Sequence, residues 1–515
     1  SPTALTENRV TNRNLFWNNT AIFEKEILKS RFSALAGMEA IQNRTDYLGA
    51  SANNFSRTDP LFRYISASNP LEVRNIGASG IATEWALLSY FGQASYSYDS
   101  RYVLNATLRY DGSSRFGKNN RWGLFPSISA AWNISNEPFF QDIKTISTLK
   151  LRASWGQLGN QEIGIYPFSS LVSNGDRVYV FGNNNVATGA SIIETGNENI
   201  KWEVSTQVNF GLDWSIMRDK LSGSIDVFDK TTDDILVRVP LPQAGGDTRA
   251  PFVNAAEIQN RGLEIGMTFR DRIGQVSYNI GANYSMVRNV VVSIADSEPI
   301  LGGYGLSDGA LTRTEVGHPV GSFYLWQMEG IFQSEEEVEN SPFQSNSTRP
   351  GDVKFADLNN DNVIDDKDRD HVGNPFPDFT YGVNLGLNWK NFDLSSLIQG
   401  VEGNDIYFLY GNFAYETQAR GFNSYKAILN RWTPENRDTD IPKVSLDDRN
   451  GNRRISTRFL EDGSYLRIRN ITLGYNLKDL LNWNTVNTCR IYVSAQNAFT
   501  SVIGMRKAPP GLESP

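Results

Sequence analysis

Between Tyr381 and Trp389 every second residue is apolar: Tyr381, Val383, Leu385, Leu387 and Trp389 alternate with Gly382, Asn384, Gly386 and Asn388. A period of two is that of a β-strand with unlike faces. A strand that crosses a bilayer needs ~9–11 residues, lipid-facing side chains at alternate positions and aromatic residues at the two interfaces. This segment has all three. The pattern returns in Tyr102, Leu104, Ala106, Leu108 and Tyr110 against Asn105, Thr107 and Arg109, and in Val208, Phe210, Leu212, Trp214 and Ile216 against Gln207, Asn209 and Asp213. It returns again in Leu263, Ile265, Met267 and Phe269, and in Val276, Tyr278, Ile280, Ala282 and Tyr284 against Ser277, Asn279 and Asn283.

The connections alternate too. Asp99–Ser100, Arg218–Lys220, Asp271–Gln275 and Lys390–Asn391 are brief, whereas 112–121, 157–200, 232–259, 289–377 and 403–460 are long. Short turns at one end and long loops at the other are the habit of outer-membrane barrels. The link at 134–148 is a longer connection on the turn side with room for a small helix. This parity predicts about fourteen strands, near 14–26, 30–42, 88–98, 102–110, 122–132, 149–156, 202–216, 221–231, 260–270, 276–288, 378–389, 392–402, 463–478 and 489–499. The aromatic-rich stretch Gly321 to Phe332 would break the parity as a spanning strand, so it belongs inside the 289–377 loop. The predicted fold class is therefore all-β, an antiparallel transmembrane β-barrel segment with long extracellular loops.

A soluble two-sheet sandwich also alternates. It does not account for aromatics at both strand ends, nor for loops this long. No apolar run approaches the ~20 residues of a membrane-spanning helix, and a mean hydropathy of −0.39 is what a barrel with a polar lumen would also show. The formal charge of −8 argues against a broad phosphate-binding surface, so nucleic acid is not an expected partner. The single cysteine, Cys489, rules out an internal disulfide framework and reads as a structural thiol on a strand. Ser1 to Arg9 are polar, with no signal-peptide character, and the chain is expected to start inside something larger.

Several stretches resemble the SusC/RagA family of TonB-dependent outer-membrane transporters. They are Leu108-Arg-Tyr-Asp-Gly-Ser-Ser-Arg-Phe-Gly-Lys-Asn-Asn-Arg-Trp-Gly-Leu-Phe-Pro-Ser127, Asn199-Ile-Lys-Trp-Glu203, Gly351-Asp-Val-Lys-Phe-Ala-Asp-Leu-Asn-Asn-Asp361 with Gly373-Asn-Pro-Phe-Pro-Asp-Phe-Thr-Tyr-Gly382, and Gln399-Gly-Val-Glu-Gly-Asn-Asp-Ile-Tyr407. Asn430-Arg-Trp-Thr-Pro-Glu-Asn436, Asp462-Gly-Ser-Tyr-Leu-Arg-Ile-Arg-Asn-Ile-Thr-Leu-Gly-Tyr475 and Ser494-Ala-Gln-Asn497 complete the set. The resemblance runs in order from about 85 to 498. It implies a larger plugged barrel of 22 strands in the outer membrane of a Gram-negative, Bacteroidota-like bacterium, importing glycan oligosaccharides or peptides under the drive of TonB. It also implies a SusD-like surface lipoprotein as lid, and leaves room for a homodimer of that pair.

Relative to that family the plug domain, the TonB box and the final strand have no counterpart in residues 1–515, and the tail from Thr500 to Pro515 leaves the family pattern. An open sheet edge in lipid leaves backbone groups unpaired at several kcal/mol each. The expectation is thus a C-terminal barrel portion that forms no stable pore alone. The competing readings are a passive porin and a soluble extracellular carbohydrate-binding or adhesin protein.

Candidate chemistry is sparse. Asp357, Asn359, Asp361, Val363, Asp365 and Asp368 hold positions 1, 3, 5, 7, 9 and 12 of an EF-hand-like loop, with Ile364 at the apolar eighth position. Oxygen ligands at this spacing suit Ca²⁺. Asn362 stands where glycine is usual, which asparagine tolerates, and Asp368 is shorter than the usual Glu. The competing reading is a solvated loop whose Asp and Asn residues cap their own backbone. Phe323, Tyr324 and Trp326, and Tyr407, Phe408, Tyr410, Phe413 and Tyr415, are able to stack on sugars or peptides, though packing of the loops or the upper girdle is the favoured use. Gly305-Leu-Ser307-Asp-Gly309 spells a nucleophile elbow without the strand, helix and histidine that such a site needs, so no enzyme is expected. His318 and His371 lack partners at ligand spacing. Ser334 and Glu337 spell a capping box opening a short helix, and Arg109, Arg152 and Arg270 sit in the polar phase of their strands, where a channel interior accepts them.

Overall fold

A computed structural model describes residues 4–55, 59–67, 76–140, 142–182, 185–238, 251–295, 298–304, 309–409, 411, 426–445, 447–477 and 489–502. Fourteen strands form one antiparallel sheet in unbroken chain order. They are β1 (Ala4–Ile27), β2 (Ser30–Asn53), β3 (Ile76–Tyr98), β4 (Tyr102–Ser113), β5 (Trp122–Asn133), β6 (Ile146–Asn160) and β7 (Glu203–Ile216). The others are β8 (Leu221–Arg238), β9 (Phe252–Ile273), β10 (Val276–Ile294), β11 (Phe379–Trp389), β12 (Phe392–Glu402), β13 (Tyr465–Asn476) and β14 (Arg490–Val502). Each segment read from the alternation is one of these strands. The stretch Gly321 to Phe332 stays out of this sheet and supplies two short strands, Ser322–Trp326 and Met328–Ile331, to smaller ones.

Tight turns are built from left-handed residues. Asp99 and Ser100 have φ of 52° and 56°, and Arg101 N–H donates to the Tyr98 carbonyl at 2.9 Å, a hairpin turn whose twist matches its strands. Lys390 (φ 52°) and Gly274 (φ 60°) serve the same end. The link after β5 holds two short 3₁₀ helices, Ile134–Asn136 and Pro138–Phe140, in the place where the sequence left room for a small helix. Cys489 lies one residue before β14 rather than on a strand, its carbonyl accepting from Leu477 N–H at 2.7 Å.

The strands run past the predicted ends on the long-loop side: β2 to Asn53, β3 from Ile76, β8 to Arg238 and β9 from Phe252. Above a membrane both faces of a ribbon are wet, so cross-strand hydrogen bonds continue while the alternation fades. That is why 232–259 reads as loop in the sequence while, of its described residues, 232–238 and 252–259 are strand. Likewise, the 157–200 segment contains a hairpin of Leu171–Phe181 with Asn185–Glu194.

Two compact units are distinguished: Ser1–Ala131 with Ser154–Gln207 and Thr232–Ala255, and Trp132–Ala153 with Val208–Thr231 and Ala256–Pro515. In the first, Phe116, Phe125, Ile163, Ile200 and Trp202 form a buried cluster, and Arg115 sits over the Trp85 ring while donating to the Ile163 carbonyl at 2.7 Å. In the second, the segments between β10 and β11 and between β12 and β13 make a packed assembly around Leu325, Trp326, Val353, Phe355, Ile364 and Ile455. The 289–377 segment there carries a four-stranded sheet of Ile300–Tyr304, Ala310–Thr314, Ser322–Trp326 and Arg369–Gly373.

Candidate functional site

Register sorts the side chains onto two faces. In the second unit Phe269, Ile280 and Leu385 lie in one cross-strand row, as do Met267, Ala282 and Val383. Aromatic clusters bound this apolar face: Tyr284, Phe379 and Tyr381 at one end, with ring centroids 5.4 and 6.2 Å apart, and Trp389, Phe392 and Tyr475 at the other, at 6.0 and 4.6 Å. Tyr381 and Trp389 are eight residues apart on β11. At ~3.3 Å per residue that is roughly 26 Å along the strand, and the nine residues it takes in are the number a tilted membrane-spanning strand needs, ~9–11.

The opposite face of the same unit is hydrogen-bonding and lines a cavity of 1130 Å³, with Asp213, Arg270, Asn283, Asn384, Gln399 and Arg469 among its walls. Arg152 is held on this side by two carboxylates at once: Nε and Nη2 donate to Asp213 at 2.9 and 2.8 Å, and Nη1 and Nη2 to Asp226 at 3.0 and 2.9 Å. Arg270 reaches the same cavity and is exposed. In the first unit Arg109 makes the equivalent arrangement, donating to Asp111 at 2.8 Å, Ser89 at 2.8 Å and Glu39 at 3.2 Å. All three arginines therefore occupy the polar phase of their strands. The acidic partners were legible only as polar positions, because nothing in one strand specifies the register of the next.

Outer-loop aromatics mostly pack. Phe323 and Trp326 are 8% and 6% exposed within the core, Tyr407 lies against Phe323 and Phe459, and Tyr324 is sandwiched by the guanidinium groups of Arg313 and Arg369 at 4.6 and 4.9 Å. The Phe408 N–H donates to the Phe459 carbonyl at 2.8 Å. Tyr410, Phe413 and Tyr415, and the Gly305 to Asp308 part of the elbow-like spelling, lie outside the described residues.

A buried polar network pins two distant loop segments together. Asn452 Oδ1 accepts from Val353 N–H at 2.9 Å while its amide donates to Asp352 Oδ1 at 2.9 Å, and Gln344 Nε2 donates to the Val353 carbonyl at 2.9 Å. Gly351 has φ of 90°, and a Cβ there would sit 2.5 Å from the Trp432 ring. The motifs around Gly351 and Trp432 thus meet in space for a packing reason.

In the acidic loop the side chains cap their own backbone. Asp357 accepts from Asn362 N–H at 2.8 Å, Asn359 from Asp361 N–H at 2.9 Å, Asp361 from Val363 N–H at 2.9 Å and Asp365 from Lys367 N–H at 2.8 Å. Asp368, fully buried, accepts from Leu358 and Asp365 N–H groups. Asn362 adopts the left-handed conformation (φ 64°) expected of that position. Among the described residues no three acidic, histidine or cysteine side chains converge as a metal cage, while Asp357 Oδ1 is buried without a hydrogen-bond partner.

The capping box is half realised. Ser334 Oγ accepts from Glu337 N–H at 3.2 Å at the start of a one-turn helix, Glu335–Glu339, but the Glu337 carboxylate takes the N–H of Gln333, one residue earlier than the motif requires. The two histidines, 53 residues apart, stack face to face at 3.7 Å, and His371 Nε2 lies 3.2 Å from Glu315. Burial, with His318 and Arg313 adding to it, pulls the His371 imidazole below its usual value despite Glu315. Sequence spacing gave no hint of this pair.

A strand set with one oily and one wet face, edged by aromatics and joined by short turns and long loops, is the wall of an outer-membrane β-barrel. The family described as "TonB dependent receptor-like, beta-barrel" matches residues 3–498, and the chain belongs to it. It is 32% identical over 495 residues to TonB-dependent receptor P3 of Formosa agariphila, covering 95% of this chain and 48% of that protein. It is 31% identical over 431 residues to TonB-dependent receptor SusC of Bacteroides thetaiotaomicron, covering 81% and 41%. A solved structure of the RagAB peptide transporter superposes with a TM-score of 0.81 at 26% identity, covering 96% of this chain and 52% of that one. The chain spans about half the length of the curated relatives it matches. It is an outer-membrane barrel sequence of SusC/RagA type, and the family is one of receptors and transporters, not of enzymes.

Proposed function

We propose that this chain forms the barrel wall and outer loops of an active importer that carries oligosaccharide or peptide fragments across the outer membrane. TonB supplies the drive and a SusD-like surface lipoprotein covers the outer mouth. The observation that carries the reading is the hydrogen-bonding wall around the 1130 Å³ cavity on a chain whose relatives bear the names TonB-dependent receptor SusC and RagAB peptide transporter. Paired arginines and carboxylates with amide side chains between them suit neutral or zwitterionic polar cargo. A passive porin shares the wall and differs in the energy requirement.

Uptake of labelled oligosaccharides and of a labelled peptide pool by cells with the intact gene, its deletion, and a deletion of tonB separates the readings. Import should vanish in both deletions. Uptake that persists without TonB makes this a porin, and co-purification of the full-length protein should bring down a surface lipoprotein. For the acidic loop we further propose weak Ca²⁺ binding by Asp357, Asn359, Asp361, the Val363 carbonyl, Asp365 and Asp368. Its support is the unpartnered Asp357 Oδ1. Calorimetry that stays silent at millimolar Ca²⁺ ends that idea.

A further inference from the structure

Residues 315–321 close a hairpin between two strands of the four-stranded sheet, Ala310–Thr314 and Ser322–Trp326. This loop is laid along the outer end of β10. Gly317 N–H donates to the Val291 carbonyl and Val291 N–H to the His318 carbonyl, both at 2.9 Å, and Val320 N–H donates to Asn289 Oδ1 at 2.8 Å. The same loop carries His318 back onto the sheet. There His371, on the strand Arg369–Gly373 and paired with Tyr324, receives it, the two imidazoles lying 3.7 Å apart with 11° between their planes. One ring pair thus fastens the loop that ties this sheet to β10.

The closed stack has no place for a second proton on His371. Its side chain is 10% exposed, with Nε2 3.2 Å from the Glu315 carboxylate and Nδ1 buried without a hydrogen-bond partner. A neutral imidazole has one N–H, which Nε2 supplies to Glu315. Protonation makes Nδ1 a donor as well, in a corner that offers it no acceptor, and a buried charged group left without its hydrogen bond is costly. The surrounding charges do not absorb the cation. Glu315 already accepts from Arg313 Nη2 at 3.1 Å, and the guanidinium groups of Arg313 and Arg369 flank Tyr324, whose ring meets His371 edge-on at 5.2 Å. Asp370 is exposed and accepts the His371 backbone N–H at 2.7 Å, and Asp366 acts on Arg369. Burial first, then His318 and Arg313, disfavour the charged ring against the pull of Glu315.

We propose that the His318–His371 stack is an acid-opened latch, which holds the 315–321 loop on β10 at neutral pH and releases it when His371 is protonated. Opening gives Nδ1 the water it needs as acceptor. The test is hydrogen exchange of the full-length protein in detergent at pH 7.5 and 5.5, corrected for intrinsic rates and read at the amides of Val291, Gly317 and Val320. One imidazole of ordinary value ~6.5 that must titrate on opening makes them exchange up to about ten-fold faster at pH 5.5. Val353 and Phe355, in the core of the same loop assembly, should stay slower than this corner at both pH values. His371→Gln keeps a donor for Glu315 without a titrating nitrogen, and the double change His318→Phe with His371→Phe keeps a ring stack without a proton site. Either variant, where slow at pH 7.5, should respond less than about two-fold. Equal wild-type rates at the two pH values overturn the proposal, as does an undiminished response in such a variant. Exchange of Val353 and Phe355 in step with the corner also overturns it, because the whole assembly would then be unfolding. Should both variants be fast already at pH 7.5, the wild-type curve decides: acceleration that begins only below about pH 4.5 belongs to a carboxylate and sinks the latch. The cargo and TonB do not enter the measurement.

Discussion

The spanning strands and the outer-loop assembly use the same residues for opposite solvents. On the strands Leu104, Leu108 and Phe210 are 46%, 51% and 62% exposed, while in the loop assembly Leu325 and Phe355 are 0% and 2% exposed. The first group needs no protein neighbour, because lipid tails are as apolar as the side chains they meet. The second forms a close-packed interior in water, where removal of a side chain leaves a void. Apolar content alone therefore does not tell a wall from a core. Period and partner do.

The sharpest way to break this comparison is to truncate both kinds of site. Phe355→Ala should destabilise the loop assembly by about 3–5 kcal/mol through a cavity, seen as faster amide exchange at Val353 and Phe332. Leu104→Ala should change unfolding of the full-length protein by less than about 1 kcal/mol, since lipid fills the space. Equal losses would mean that the strand face is packed against protein. Charge gives the next largest effect. Ala106 lies midway between Tyr102 and Tyr110 on the lipid side, so Ala106→Arg should cost about 2–4 kcal/mol, whereas a charge at Thr107, on the wet side, should cost little; denaturant titration in detergent reads both.

Loss of Arg152 leaves Asp213 and Asp226 facing one another across a hydrated wall. Arg152→Ala should cost about 1–2 kcal/mol, with Asp213→Asn partly restoring it, by the same titration. The smallest effect is that of pH on the loop assembly. His371 resists protonation in the folded state, so the unfolded chain takes up a proton first as pH falls through the ordinary histidine value of ~6.5. Stability should therefore be full above that pH and decline below it, continuing down to the lowered folded value. The amides of Val291 and Gly317, which tie this corner to β10, should exchange faster at pH 5 than at pH 7 after correction for intrinsic rates, and His371→Gln should flatten the difference.

Most of the sheet was legible because a bilayer imposes a strict rule on each spanning residue. β11 and β12 match their predicted limits almost to the residue, since Lys390 and Asn391 turn tightly between aromatic ends. Above the membrane that rule lapses, and the outer halves of β2, β3 and β9 were lost to reading for the same reason. The loop assembly was least legible. Gly351 and Trp432, or Val353 and Asn452, are too far apart in the chain for local pattern to join them. His318 and His371 looked like isolated loop residues until folding stacked them.

The sequence by itself determined which side of each strand faces lipid, where the tight turns fall, and that its arginines belong to a wet interior. Those follow from the free energy of one residue in one solvent, which a single strand carries without reference to its neighbours. Tertiary structure alone decided that Arg152 is clasped by two aspartates and that the acidic loop spends its carboxylates on its own amides. Each depends on register and chain return, which place residues from distant strands and loops within a few ångströms of one another, and no local periodicity encodes that distance.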